Sequence, residues 1–177
     1  MTDAAAQLFA SEGYAGTTME AVALASGMSV QGVYFAFQTK ANLLQEAIAA
    51  AAPEQTSRAA ESDPDLFLRG VVADAVVVLG ATGALARAVA SAPPADRAAA
   101  EVHQRLEVQR SRQATTLVQQ ARARRPLAAG VTPKRVSDVA FALLSPQLHA
   151  VLVHGRGWSS QRYAAWATEA ISRALWG

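Results

Sequence analysis

The chain has no cysteine, which excludes disulfides, thiolate metal sites and a cysteine nucleophile and suits a reducing, cytoplasmic setting. Aromatic residues are scarce at 6% and β-branched runs are short, so over 177 residues local preference favours helix over sheet. No continuous apolar run approaches the roughly 20 residues that a membrane-spanning helix needs, and no basic flank precedes an apolar signal core. The expectation is a cytoplasmic protein without membrane association. Basic residues are also missing from the start: through Ala52 the only Lys or Arg is Lys40, against Asp3, Glu12, Glu20 and Glu46, a net −3 within a chain of +2 overall. Phosphate contact depends on cations, so this sign argues against nucleic-acid binding by the first fifty or so residues.

The chain is 51% hydrophobic with a mean hydropathy of +0.13, ample for a core. Its punctuation is helical. Thr2 or Asp3 can cap a first helix with Ala5, Leu8 and Phe9 inward, and Gly13 is placed just beyond its end for a left-handed stop. Thr17 with Glu20 reads as a capping box opening a second helix to about Ala25. Ser26-Gly27-Met28 breaks it, Ser29 caps a short helix from Val30 to Ala36, and Thr39 caps one from Lys40 to about Ala52. Pro53 to Pro64 reads as a connection. Helices then run from Asp65 to Leu79, extending past Gly80 and Gly83 towards Ala92; from Pro94 to Arg125; from Thr132-Pro133 to about Gly155 with a kink at Pro146; and from Ser159 to near Trp176. The fold class is all-α: a helix-turn-helix domain over residues 1–52 and a larger helical domain over 53–177.

Two short helices joined by a glycine-containing turn and packed on a first helix make the helix-turn-helix arrangement, whose second helix fits a major groove. The stretch Leu8-Phe9, Gly13-Tyr14, Thr17-Thr18-Met19, Val22-Ala23, Ser26-Gly27-Met28-Ser29, Val33-Tyr34, Phe37, Lys40 and Leu43-Leu44 resembles the N-terminal domain of the tetracycline-repressor (TetR) family of bacterial regulators, without a gap from about Ala5 to Leu44. The resemblance implies a ligand-responsive repressor that binds a palindromic double-stranded DNA operator as a homodimer and is released by a small molecule. It makes Val30 to Ala36 the recognition helix. Thr18 looks like a phosphate ligand, or else a spare cap beside Thr17; Ser29 caps under either reading. Gln31 matches an adenine edge, Val30 a thymine methyl, and Gly32 a close backbone approach. Tyr34 resembles the family's phosphate-binding tyrosine, Phe35 is a groove contact, and Lys40 at a helix start suits phosphate. The chain departs from the family at Ala36, where His or Tyr is common. The pattern also begins abruptly at Met1, and an upstream basic arm is the expected explanation of the acidic sign.

Projection at about 100° per residue puts Asp74 in a stripe with Phe67, Val71 and Val78, so it is either a pocket residue or the partner of an arginine. Gln109 and Gln113 share a stripe with Val102, Leu106 and Leu117. One effector cavity lined by Phe67, Val71, Asp74, Val78, Leu106, Gln109 and Gln113 is expected. The stretch from Val136 to Val153 is apolar nearly all round. With the last helix it resembles the family's dimer-forming pair, through Phe141, Leu144, Leu148, Val151, Leu152, Tyr163 and Trp166. An enzyme is not expected: His103, His149 and His154 are the only histidines, and neither a carboxylate pair nor a glycine-rich phosphate loop accompanies them. No cofactor or metal is implied. The alternative is a non-enzymatic helical interaction or ligand-binding module that has lost DNA binding.

Overall fold

Every regular element of the computed structural model is helical among the residues it describes, 1–54 and 56–177. Position 55, within the expected connection, lies outside them. The chain forms two compact units: Met1–Pro53 with Ala81–Leu106, and Glu54–Gly80 with Glu107–Gly177. The sequence boundary near Pro53 is therefore only one of the crossings. Helices α5 (Pro64–Ala90) and α6 (Arg97–Arg124) each contribute a part to either unit.

In the first unit, α1 (Thr2–Gly16) buries Ala5, Phe9 and Tyr14. Gly13 takes φ 71°, ψ −177° inside it, a left-sided conformation open to glycine, so the helix kinks there instead of stopping. The Tyr14 ring stacks on Phe9 at 6.1 Å. The cap of α2 (Met19–Ser26) is Thr18, whose Oγ1 accepts the Ala21 amide at 3.1 Å. Thr17 is not the cap: it is buried and its hydroxyl donates to the Gly13 carbonyl at 2.8 Å. With the cap moved by one, Glu20 is the second helical residue, one place early for a capping box. Gly27 ends α2 at φ 68°. Ser29 caps α3 (Val30–Phe37) through the Gly32 amide, and Thr39 caps α4 (Lys40–Ala51) through the Asn42 amide. Phe9, Val22, Val33, Leu43 and Leu44 close the core with Leu85, Val89 and Val102.

Helix α5 runs unbroken through Gly80 and Gly83 to Ala90, in line with the extended reading of this stretch. By length and composition it is apolar enough to cross a membrane, with a mean hydropathy of 1.7 over its best window; the sequence reading missed this because Arg69 and Asp74 interrupt the apolar run. Its apolar side chains have protein cover in each half, Leu68, Val72 and Val76 in one core and Leu85 and Val89 in the other. Helix α6 starts after Asp96, whose Oδ1 accepts the Ala99 amide at 3.0 Å.

In the second unit, Thr132 caps α7 (Pro133–Leu143), which stops well before Gly155. Proline lacks an amide hydrogen and pushes the preceding residue into extended geometry. Ser145 accordingly sits at φ −94°, ψ 145° and caps a new short helix, α8 (Pro146–His149), followed by a π-helical turn, Ala150–Gly155. The chain bends by 43° at this break. Ser159 caps α9 (Ser160–Trp176), whose Tyr163, Ala167, Ile171 and Leu175 join Phe67, Val72, Val118 and Val136 in the core.

Candidate functional site

Val33 is fully buried and sets the rotation of α3. Residues two places to either side then stand on the far face, and both Gln31 and Phe35 are exposed, Phe35 at 89%. Val30 and Tyr34 flank this face, less exposed at 38% and 45%. A Cβ on Gly32 would lie 3.1 Å from the Ser29 Oγ, so glycine at this position spares the cap as well as leaving the backbone bare. Thr18 and Ser29 are exposed, each with its hydroxyl oxygen holding a helix start. Free amides at such starts suit phosphate.

Lys40 is a correction. Its Nζ donates to the carbonyls of Tyr14 at 2.7 Å and Thr17 at 3.0 Å and lies 4.3 Å from the centre of the Tyr14 ring. The side chain clamps the kinked end of α1 with two of its three N–H donors, and the α4 backbone amides lie beside it for an anion. On the other side of the ring system the Tyr14 hydroxyl donates to Asp96 Oδ2 at 2.7 Å. That bond, with the Ala99 amide, holds the Asp96 carboxyl below the usual carboxylate range, while burial and then Asp96 itself raise the Tyr14 phenol above its ordinary value. Sequence reasoning missed this network. The one local signal was an aspartate just after Pro93-Pro94 and before a helical run, a cap pattern.

The expected effector residues do not converge. The Asp74 carboxylate is held in a two-pronged pair by Arg58, at 2.5 and 2.8 Å, which is the structural alternative with the partner in the connection instead of another helix. Phe67 is buried beneath the Arg124 guanidinium at 3.9 Å. Leu106 packs against the first unit's core. Gln109 and Gln113 are exposed, because the covered face of α6 in the second unit is that of Ala114, Leu117, Val118 and Ala121. Val71 and Val78 remain partly exposed beside Asp74 along α5. A groove of about 490 Å³ on this unit is lined by Thr132, Lys134, Arg135, Asp138, Val139 and Ala142, none of them in the expected set.

The expected dimer residues also divide. Tyr163 is core: it is fully buried, donates its hydroxyl to the Leu143 carbonyl and is pushed up by burial to about 12. Phe141 is covered by Arg110, 4.3 Å from its ring, which also bonds its carbonyl. Leu144, Leu148, Leu152 and Trp166 are half-buried, and Val151 is exposed at 57%.

A three-helix core with a capped, outward-facing second helix after a left-handed glycine turn defines a helix-turn-helix DNA-binding domain. Residues 1–47 match the family model of the bacterial regulatory proteins of the tetR family, and this N-terminal domain is a tetR-family domain. No curated protein sequence matches significantly. Solved structures share the fold over nearly the whole chain. NalD, the secondary repressor of the MexAB-OprM multidrug efflux pump in Pseudomonas aeruginosa, is 24% identical with a TM-score of 0.74, covering 98% of this chain and 93% of its own. A TetR-family transcriptional regulator from Rhodococcus sp. is 16% identical with a TM-score of 0.73, covering 98% and 95%. FadR of Bacillus subtilis, solved with stearoyl-CoA, is 11% identical with a TM-score of 0.67, covering 98% and 95%.

Proposed function

We propose that the protein is a cytoplasmic transcriptional repressor that binds a palindromic operator as a homodimer and is released by a small molecule. The observation that carries the reading is the match of residues 1–47 to the tetR-family domain, joined to an α3 whose Ser29 cap and exposed Gln31 and Phe35 suit a major groove. Thr18, Ser29 and the α4 start supply hydroxyls and amides for phosphate, with Tyr34 beside them; Val30, Gln31, Gly32 and Phe35 face the bases. The second unit provides the dimer surface, through Val151 with Leu144, Leu148, Leu152 and Trp166, and takes the effector. A repressor among the fold's neighbours and a bound acyl-CoA in another support both halves of this reading.

The test is selection of duplexes from a random pool by the purified chain, followed by mobility shifts and light scattering. A two-fold symmetric consensus bound by a dimer is expected, with half-sites about one helical turn apart. A monomer at micromolar concentration, or no enrichment over random DNA, would sink the reading.

A further inference from the structure

We infer that α3 reads the 5-methyl groups of thymine, with Phe35 as the main apolar reader and Gln31 holding a neighbouring adenine, so that each half-site centres on A·T pairs. The inference rests on the DNA-binding reading and names the base chemistry this face accepts.

In the major groove guanine offers acceptors that Arg or Lys take, cytosine a donor that Asp or Glu take, adenine a donor and acceptor that Gln or Asn take, and thymine a methyl that apolar groups cover. Helix α3 reads Val-Gln-Gly-Val-Tyr-Phe-Ala-Phe and contains no ionisable side chain apart from the Tyr34 phenol. Residues 1–39 hold no Lys or Arg at all, and the next cation, Lys40, has its ammonium on the carbonyls of Tyr14 and Thr17. The usual reader of guanine and the usual reader of cytosine are thus both missing from this helix. Gln31 remains for adenine. Phe35, a turn further on and on the same side, is left 89% exposed. An apolar ring this open to water gains when it is covered, and the methyl of thymine is the one apolar group that an unmodified major groove presents. Residues four apart on a helix are neighbours, so Gln31 and Phe35 reach adjoining bases, and Gly32 adds no side chain between the helix and the groove.

Deoxyuridine keeps every pairing and minor-groove group of thymidine and removes only the methyl, which makes it the discriminating probe. Using the full chain and its selected operator, replacement of half-site thymidines by deoxyuridine is expected to weaken binding about fourfold per contacted methyl, and about 15-fold when both half-sites are changed. Phe35→Ala, at an exposed position that supports no core packing, should weaken the thymidine operator to the same extent and bind both duplexes equally. Gln31→Ala should keep the deoxyuridine effect. Equal affinity of the unaltered protein for the two duplexes, with specific binding intact, overturns the inference alone. So does a G·C-centred consensus, or full operator affinity in Phe35→Ala, which would mark the ring as a protein-docking residue. Absence of any selected sequence overturns the DNA-binding reading as well.

Discussion

In the first unit the ammonium of Lys40 closes on the carbonyls of Tyr14 and Thr17 over the Tyr14 ring. In the second the guanidinium of Arg124 closes on the carbonyls of Arg58, Ala59, Glu61 and Gln120 over the Phe67 ring. Both cations tie a neighbouring segment of backbone to an aromatic core residue. What differs is the remainder. Residues 1–53 have no second Lys or Arg, whereas 12 of the chain's 16 lie in the residues of the second unit, where Arg58, Arg110 and Arg125 have carboxylate, carbonyl or ring partners too. The sequence pI of about 9.4 is thus a property of the second unit and is no sign of a basic surface on the first. Under the proposed reading, what residues 1–53 offer DNA is helix-start amides, hydroxyls and apolar groups, with their one cation, Lys40, turned onto backbone carbonyls.

The largest effect should come from breaking the second clamp. Arg124→Ala removes the group that holds residues 58–61 against α6 and uncovers Phe67, and is expected to destabilise the second unit by about 2–4 kcal/mol. Trp158, Trp166 and Trp176 are the chain's only tryptophans and all belong to this unit, so tryptophan fluorescence in urea reads it selectively. An unchanged urea midpoint would show that the guanidinium is solvated rather than structural.

Lys40 puts the comparison to a sharper test, because a clamp and a phosphate ligand predict different observables. Lys40→Met keeps most of the length of the side chain and loses two charge-assisted bonds to carbonyls, which should destabilise the first unit by about 1–3 kcal/mol. The salt slope of operator binding should stay the same. A slope reduced by about one, with thermal stability unaltered, would return Lys40 to the phosphate backbone.

Much of this was legible where the chemistry is local. Ser29, Thr39, Thr132 and Ser159 cap the helices expected of them, since a cap needs only a side-chain oxygen and an amide a few residues on. Thr17 and Thr18 offer the same chemistry one place apart, and the Gly13 kink decides between them. Periodicity tells which residues share a face of a helix but not which face the fold covers, and on that point Gln109 and Gln113 were misplaced. Asp74 announced its need for a partner by lying in an apolar stripe. That Arg58 would answer, like Lys40 turning in to Tyr14 or Tyr163 to Leu143, depends on distant segments meeting, and no local pattern encodes it.

The smallest effect concerns the anion of the first clamp, and it carries a pH signature. Asp96 joins the start of α6 to the Tyr14 hydroxyl, and the Tyr14 bond and the Ala99 amide hold its carboxyl below the ordinary value. A carboxyl with a depressed folded-state pKa stabilises the fold fully above its unfolded value, about 3.9, and loses that contribution as pH falls through the folded one. Tyr14 is raised instead, so its contribution is complete below about pH 10 and fades only on the alkaline side. Asp96→Asn can still cap α6 but removes the charge. Its thermal midpoint by circular dichroism should lie below that of the unaltered chain by a constant margin between about pH 5 and 9, and the two should converge as pH falls below about 4. Tyr14→Phe should reproduce the convergence in acid, since Asp96 then has no phenol to favour its charged form. A margin that persists unchanged through the acid range would mean that Asp96 acts through shape alone, and the likeness between the two clamps would then rest on their cations only.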